Sequence, residues 1–125
     1  PWTITFARPR LALLGPLTLS DRRFEPSDAA PAVLRFRAGR LLRGTTGYEV
    51  QPLERLDIEL RDAEGDRLGL LTRLRDVVPG VFTFGITGRG PAGQELDRGR
   101  YRLRVIAVPT NGGAATVRSV AFRVE

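Results

Sequence analysis

Few residues in this chain have the types and spacing to do chemistry. Gly88-Arg89-Gly90-Pro91-Ala92-Gly93 spells GxGxxG, the pattern with which a strand-to-helix turn holds a pyrophosphate on backbone N–H groups. That chemistry needs a helix directly after the turn. Pro91 follows the second Gly and an apolar-alternating strand resumes by Gly99, so the run reads as a flexible connection between strands. Asp62, Glu64 and Asp66 around Gly65 resemble the opening of a calcium loop, but an EF-hand would place Gly where Arg67 stands and a bidentate Glu where Arg73 stands. An acidic hairpin turn is the reading these residues favour, with a non-EF calcium site at Asp62 to Asp66 left open. Ser20, Ser27 and Ser119 have no His to take their proton, because the chain contains neither His nor Cys. Asp57 and Glu59 share one face of an extended segment about 7 Å apart. Set among arginines they stay ionised, unlike a general acid, whose proton must be held to a higher pH. No catalytic, cofactor-binding or metal-ligating residue is expected, and the chain reads as a non-enzyme.

Arginine is the remaining candidate. Arg100, Arg102 and Arg104 fall on one face of a strand, and Arg123 on the last strand can join them as a basic stripe. Such a stripe suits an acidic cell-surface polymer, a polysaccharide or an acidic protein. Nucleic acid is disfavoured, because no aromatic residues interleave with the arginines to stack bases. The structural reading competes with it: if the Asp57–Glu59 strand lies alongside, the arginines pair across strands with those acids. Ile106 and Val108 continue the same face and hint at a docking edge.

These residues need strands to place them. From Gly80, Phe82, Phe84 and Ile86 share one face and Thr83, Gly85 and Thr87 the other; from Gly99, Tyr101, Leu103, Val105 and Ala107 oppose Arg100, Arg102 and Arg104. These two ribbons are expected on one side of a sandwich, joined by the Gly-rich loop. Upstream, Leu17 to Ser20 forms a short first strand and Phe24 to Asp28 a turn-rich link. Ala32 to Arg40 turns Leu34, Phe36 and Ala38 inward and Arg35, Arg37 and Gly39 outward. Gly39 to Gly47 reads as a mobile loop. Leu53 to Arg61 turns Leu56, Ile58 and Leu60 inward against Asp57, Glu59 and Arg61 outward, and Arg67 to Leu74 returns beside it. Asn111-Gly112 signals a hairpin, after which Val120, Phe122 and Val124 close the sheet. Residues 1–16, with Pro9 and Pro16, read as a linker or packed extension in which Trp2 plugs the end, and residues 17–125 as the domain. Seven to eight mostly antiparallel strands and no sustained helical period predict an all-β, immunoglobulin-like or fibronectin-III-like β-sandwich.

The totals agree with one domain. A chain of 125 residues buries about two-thirds of its unfolded surface. No apolar run approaches the roughly 20 residues of a membrane helix. All 20 basic residues are Arg, against 14 acids, for a net charge of +6. This reflects GC-rich coding before any functional demand, although charge-retaining bidentate guanidinium groups also aid pairing. With no Met and a start at Pro1-Trp2-Thr3, the chain reads as a piece of something larger.

One resemblance is carried by particular positions. Pro79-Gly80, Phe82, Phe84, Gly88, Gly93, Leu96, Gly99, Tyr101, Leu103, Val105 and Ala107 follow a pattern of P-G turn, alternating aromatics, Gly loop and L-x-x-G-x-Y-x-L-x-V-x-A. This is similar to the FlgD-type Ig-like, fibronectin-III-like domains at the C-termini of secreted bacterial proteins such as subtilisin-like serine peptidases. The likeness covers about a third of the chain, and Ile86-Thr87-Gly88 stands where the family often has W-D-G. It implies a non-catalytic accessory role in folding, spacing or interaction, an extracellular or cell-surface setting, and a neighbouring domain in the same parent chain. Independently of the resemblance, Gly80 and Gly99 are placed at turns that favour positive φ. Tyr101 is placed where a tyrosine corner would bury its ring and carry its hydroxyl to the rim.

Overall fold

The computed structural model describes residues 13–26, 31–44, 47–110 and 112–125. Trp2, the extended piece around it, Ser27 and Asn111 lie outside the described residues. The chain is all-β, with no helix among the described residues. Three strands, β1 (Thr18–Leu19), β3 (Ala32–Ala38) and β8 (Gly80–Ile86), form one sheet in the order β1-β3-β8. Five more, β2 (Arg23–Phe24), β6 (Leu53–Asp62), β7 (Arg67–Val77), β9 (Gly99–Pro109) and β10 (Thr116–Val124), form a second in the order β2-β10-β9-β6-β7.

Period-2 patterning builds both sheets around one interior. Leu34, Phe36 and Ala38 from the smaller sheet meet Leu56, Ile58, Leu60, Leu103, Val105, Ala107, Val120, Phe122 and Val124 from the larger, all buried in a single apolar cluster as in a β-sandwich. Phe36 stacks on Phe82 and Phe84 with ring centroids 6.3 and 5.9 Å apart. Leu13 and Leu14, ahead of β1, are buried as well: Leu14 bridges Ala38, and the Leu13 N–H donates to Thr116 Oγ1 at 3.2 Å.

Several expectations need correcting. The two ribbons of the Gly80–Val108 stretch do not share a sheet: β8 pairs with β3, whereas β9 lies between β6 and β10. Residues 87–98 carry the chain from one sheet to the other, so the two apolar faces oppose each other rather than lying side by side. Within the Gly39 to Gly47 stretch read as a loop, Arg40–Gly44 is a strand (β4) and pairs antiparallel with Gly47–Gln51 (β5), described by its backbone alone. Consecutive Leu41 and Leu42 break the alternation that would have announced it, and ladder hydrogen bonds need no such alternation. The expected link after Phe24 begins with a strand, since β2 runs parallel to the end of β10 and Phe24 stacks on Phe122 at 5.4 Å. Gly39 is buried rather than outward, at φ +78°, and a Cβ there would meet Pro79 at 2.8 Å. Of the two glycines expected at positive φ, Gly99 has it (+149°) and Gly80 does not.

Candidate interaction surface

The outer face of the five-stranded sheet collects most of the charged residues singled out above, and the strand register fixes their order. One cross-strand row runs Arg23, Arg123, Arg100 over β2, β10 and β9. The next runs Ala121, Arg102, Arg61, Arg67 over β10, β9, β6 and β7. Then come Ser119, Arg104, Glu59, and after them Val117, Ile106, Asp57, Arg73. The far end carries Val108, Arg55 and Arg75. All four stripe arginines therefore share the face, as expected.

Asp57 and Glu59 were expected outward and set among arginines. They do point to the outer face, yet they are only 3% and 6% exposed. Arginine stems lie over them, so the acids are buried on the solvent side of the sheet. Arg73 Nε and Nη2 donate to Asp57 Oδ1 and Oδ2 at 2.8 and 3.2 Å, and Arg55 Nε sits 2.9 Å from Oδ2. Glu59 takes Arg67 Nε at 2.6 Å and Arg61 Nη2 at 3.4 Å. The Asp57 hydrogen bond holds the Arg73 guanidinium above its ordinary range; burial opposes this and the Asp57 charge adds to it. Two slips in the β6–β7 register, between Ile58 and Glu59 and between Leu60 and Arg61, flank Glu59 and re-aim its neighbours.

The expected cross-strand pairing with the β9 stripe does not form. Asp57 and Glu59 are taken by arginines of β6 and β7, while Arg104, directly opposite Glu59, buries its Nε without a hydrogen-bond partner. Arg100, Arg102 and Arg123 are exposed and have no ion-pair partner among the described residues. Ile106 and Val108 are half-buried, and Val117 beside Ile106 is 41% exposed, which leaves a narrow apolar strip and not a broad patch.

The other features resolve into local structure. The Asp62 carboxylate accepts the Glu64 and Asp66 backbone N–H groups at 3.0 and 2.9 Å, so its Oδ1 is spent on its own turn. Gly90 and Gly93 close a turn (Gly90 N to Gln94 O at 2.7 Å, Gly93 N to Gly90 O at 2.9 Å) that leads into β9 with no helix between. That turn roofs a cleft of about 410 Å³ between β7 and β8, floored by Ile58, Leu71 and Phe84. Ser20 Oγ accepts the Val33 N–H at 2.7 Å. The Tyr101 hydroxyl donates to the Asp97 carbonyl at 2.7 Å while its ring stacks on Phe122.

Sequence reasoning missed Arg22 and Arg23, which join the basic face only because β2 docks on β10. It also missed the roles of Arg55, Arg67 and Arg73. No family model matches the sequence, and a search of curated proteins finds no match either.

Proposed function

We propose that this chain is a non-catalytic Ig-like accessory module of a larger secreted bacterial protein, with a structural, spacing or protein-interaction role. The observation that carries the reading is the Tyr101 clasp at the start of β9. A tyrosine just inside a core strand of one sheet, bonded back to a carbonyl a few residues upstream at 2.7 Å, is the corner that Ig-like sandwiches use where the chain passes between sheets. Strand order supports it: β1-β3-β8 facing β10-β9-β6-β7 matches the A-B-E and G-F-C-C′ arrangement, with β2 as an edge strand parallel to the last. The secreted setting and a peptidase neighbour rest on the resemblance of residues 79–107.

The test is made on the isolated chain. An accessory module unfolds in one cooperative transition and turns over none of a panel of peptide, ester, glycoside and phosphoester substrates. Turnover that is lost when the module is unfolded and regained on refolding would overturn the reading.

A further inference from the structure

The cross-strand row Arg23–Arg123–Arg100 sets three arginines side by side on the outer face. Like charges directly opposite one another on a sheet destabilise it. These three stand in register across β2, β10 and β9 with no carboxylate between them. Arg22 adds a fourth guanidinium: a shallow depression of about 260 Å³ is lined by Arg22, Arg23, Arg100 and Arg123 together with Ala121 and Phe122. Glu25 and Glu125, just past the ends of β2 and β10, make no ion pair with the row, and the ion pairs among the described residues all gather at Asp57 and Glu59. From the depression the basic track continues along β9 through Arg102 to Arg104, beside the small Ala121 and Ser119 of β10.

We propose that this depression and track bind a linear acidic polysaccharide. Guanidinium forks match the planar or tetrahedral oxyanions of uronate carboxylates and sulfate esters, and an occupant supplies the negative charge that the row lacks. Small residues on β10 leave room for a chain to lie along the strand. Base stacking has nothing to use, since the track has no exposed aromatic ring. A folded acidic protein would want an apolar centre to its interface, and the apolar strip of Val117 and Ile106 lies beyond the end of the track, not at its centre. This site is separate from the accessory role proposed above and stands or falls independently of it.

The experiment is a titration of fluorescently labelled sulfated heparin oligosaccharide, and separately of oligogalacturonate, read by anisotropy over a range of salt. A single-stranded oligonucleotide and an oligoglutamate of matched charge run beside them. The variant Arg100→Ser/Arg123→Ser is compared with Arg35→Ser/Arg37→Ser on the opposite sheet, each lowering the net charge of +6 by two to +4. At least one oligosaccharide binds, more tightly than the oligonucleotide and the oligoglutamate. The first variant weakens it about tenfold or more and flattens the salt dependence, while the second changes affinity less than about threefold. Preference for sulfated over uronate chains, or the reverse, names the oxyanion. Equal losses in the two variants, tighter binding of either competitor, or no binding of either oligosaccharide by a protein with its parent melting curve would overturn the proposal.

Discussion

At the residue scale, Tyr101 and the two buried acids invite direct tests. Tyr101→Phe leaves the Asp97 carbonyl without its donor and costs about 1 kcal/mol. Tyr101→Ala also empties a buried ring site and costs about 3–5 kcal/mol, both read from urea unfolding. Phe84→Ala costs less, about 2 kcal/mol, because Phe84 is half-buried and lines the β7–β8 cleft. Burial, followed by the charges of Asp97 and Asp62, raises the Tyr101 phenol above its ordinary 10.0. The unfolded phenol then releases its proton at lower pH than the folded one. Stability is accordingly unaffected below pH 10 and falls as pH climbs from there through the folded value. In Tyr101→Phe this part of the alkaline decline disappears. Asp57→Asn breaks the bidentate Arg73 pair and costs about 1–3 kcal/mol, less than a fully buried pair because the Arg73 and Arg55 side chains reach solvent. The same change, and Glu59→Gln, makes the face more positive and tightens oligosaccharide binding. One substitution thus moves folding and binding in opposite directions.

At the element scale, strands whose two faces differ in kind were legible and those held by neighbours were not. β3, β9 and β10 alternate apolar with Arg or small polar residues, and the structure buries the expected side of each. β2 is two residues long, and its strand character comes from docking on β10, which no local pattern encodes. The β4–β5 hairpin hides behind Leu41-Leu42. For the acids on β6 the outward direction and the arginine surroundings were legible and the partners were not: which arginines cover them depends on β7 and its register slips. The partition of β8 and β9 between sheets was illegible for a similar reason, since a Gly-rich connection is equally compatible with a hairpin and with a crossing. Gly39 shows the same dependence. Gly39→Ala puts a Cβ 2.8 Å from Pro79 at φ +78° and costs at least about 2 kcal/mol, measured as a lowered urea midpoint with unchanged slope.

At the scale of the whole molecule, charge is distributed by sheet. The smaller sheet shows Arg35 and Arg37 outward from β3, whereas the larger carries the arginine rows together with both buried acids. Exposed like charges are screened by salt more effectively than partly buried pairs. Raising ionic strength from about 0.01 M to about 0.15 M, which shortens the Debye length from roughly 30 to 8 Å, therefore raises the melting temperature. A melting temperature that falls over that interval would mean that the Asp57 and Glu59 pairs outweigh the repulsion of the rows.

Leu13 and Leu14 act as a bolt between the layers. Leu14 bridges β3 of one sheet, while the Leu13 amide and the Leu14 carbonyl are held by Thr116 and Arg118 of the other. A chain trimmed to begin at Pro16 would keep all ten described strands and lose the fastener, so the seam along β3 and β10 would be the first place for water and proteases to enter.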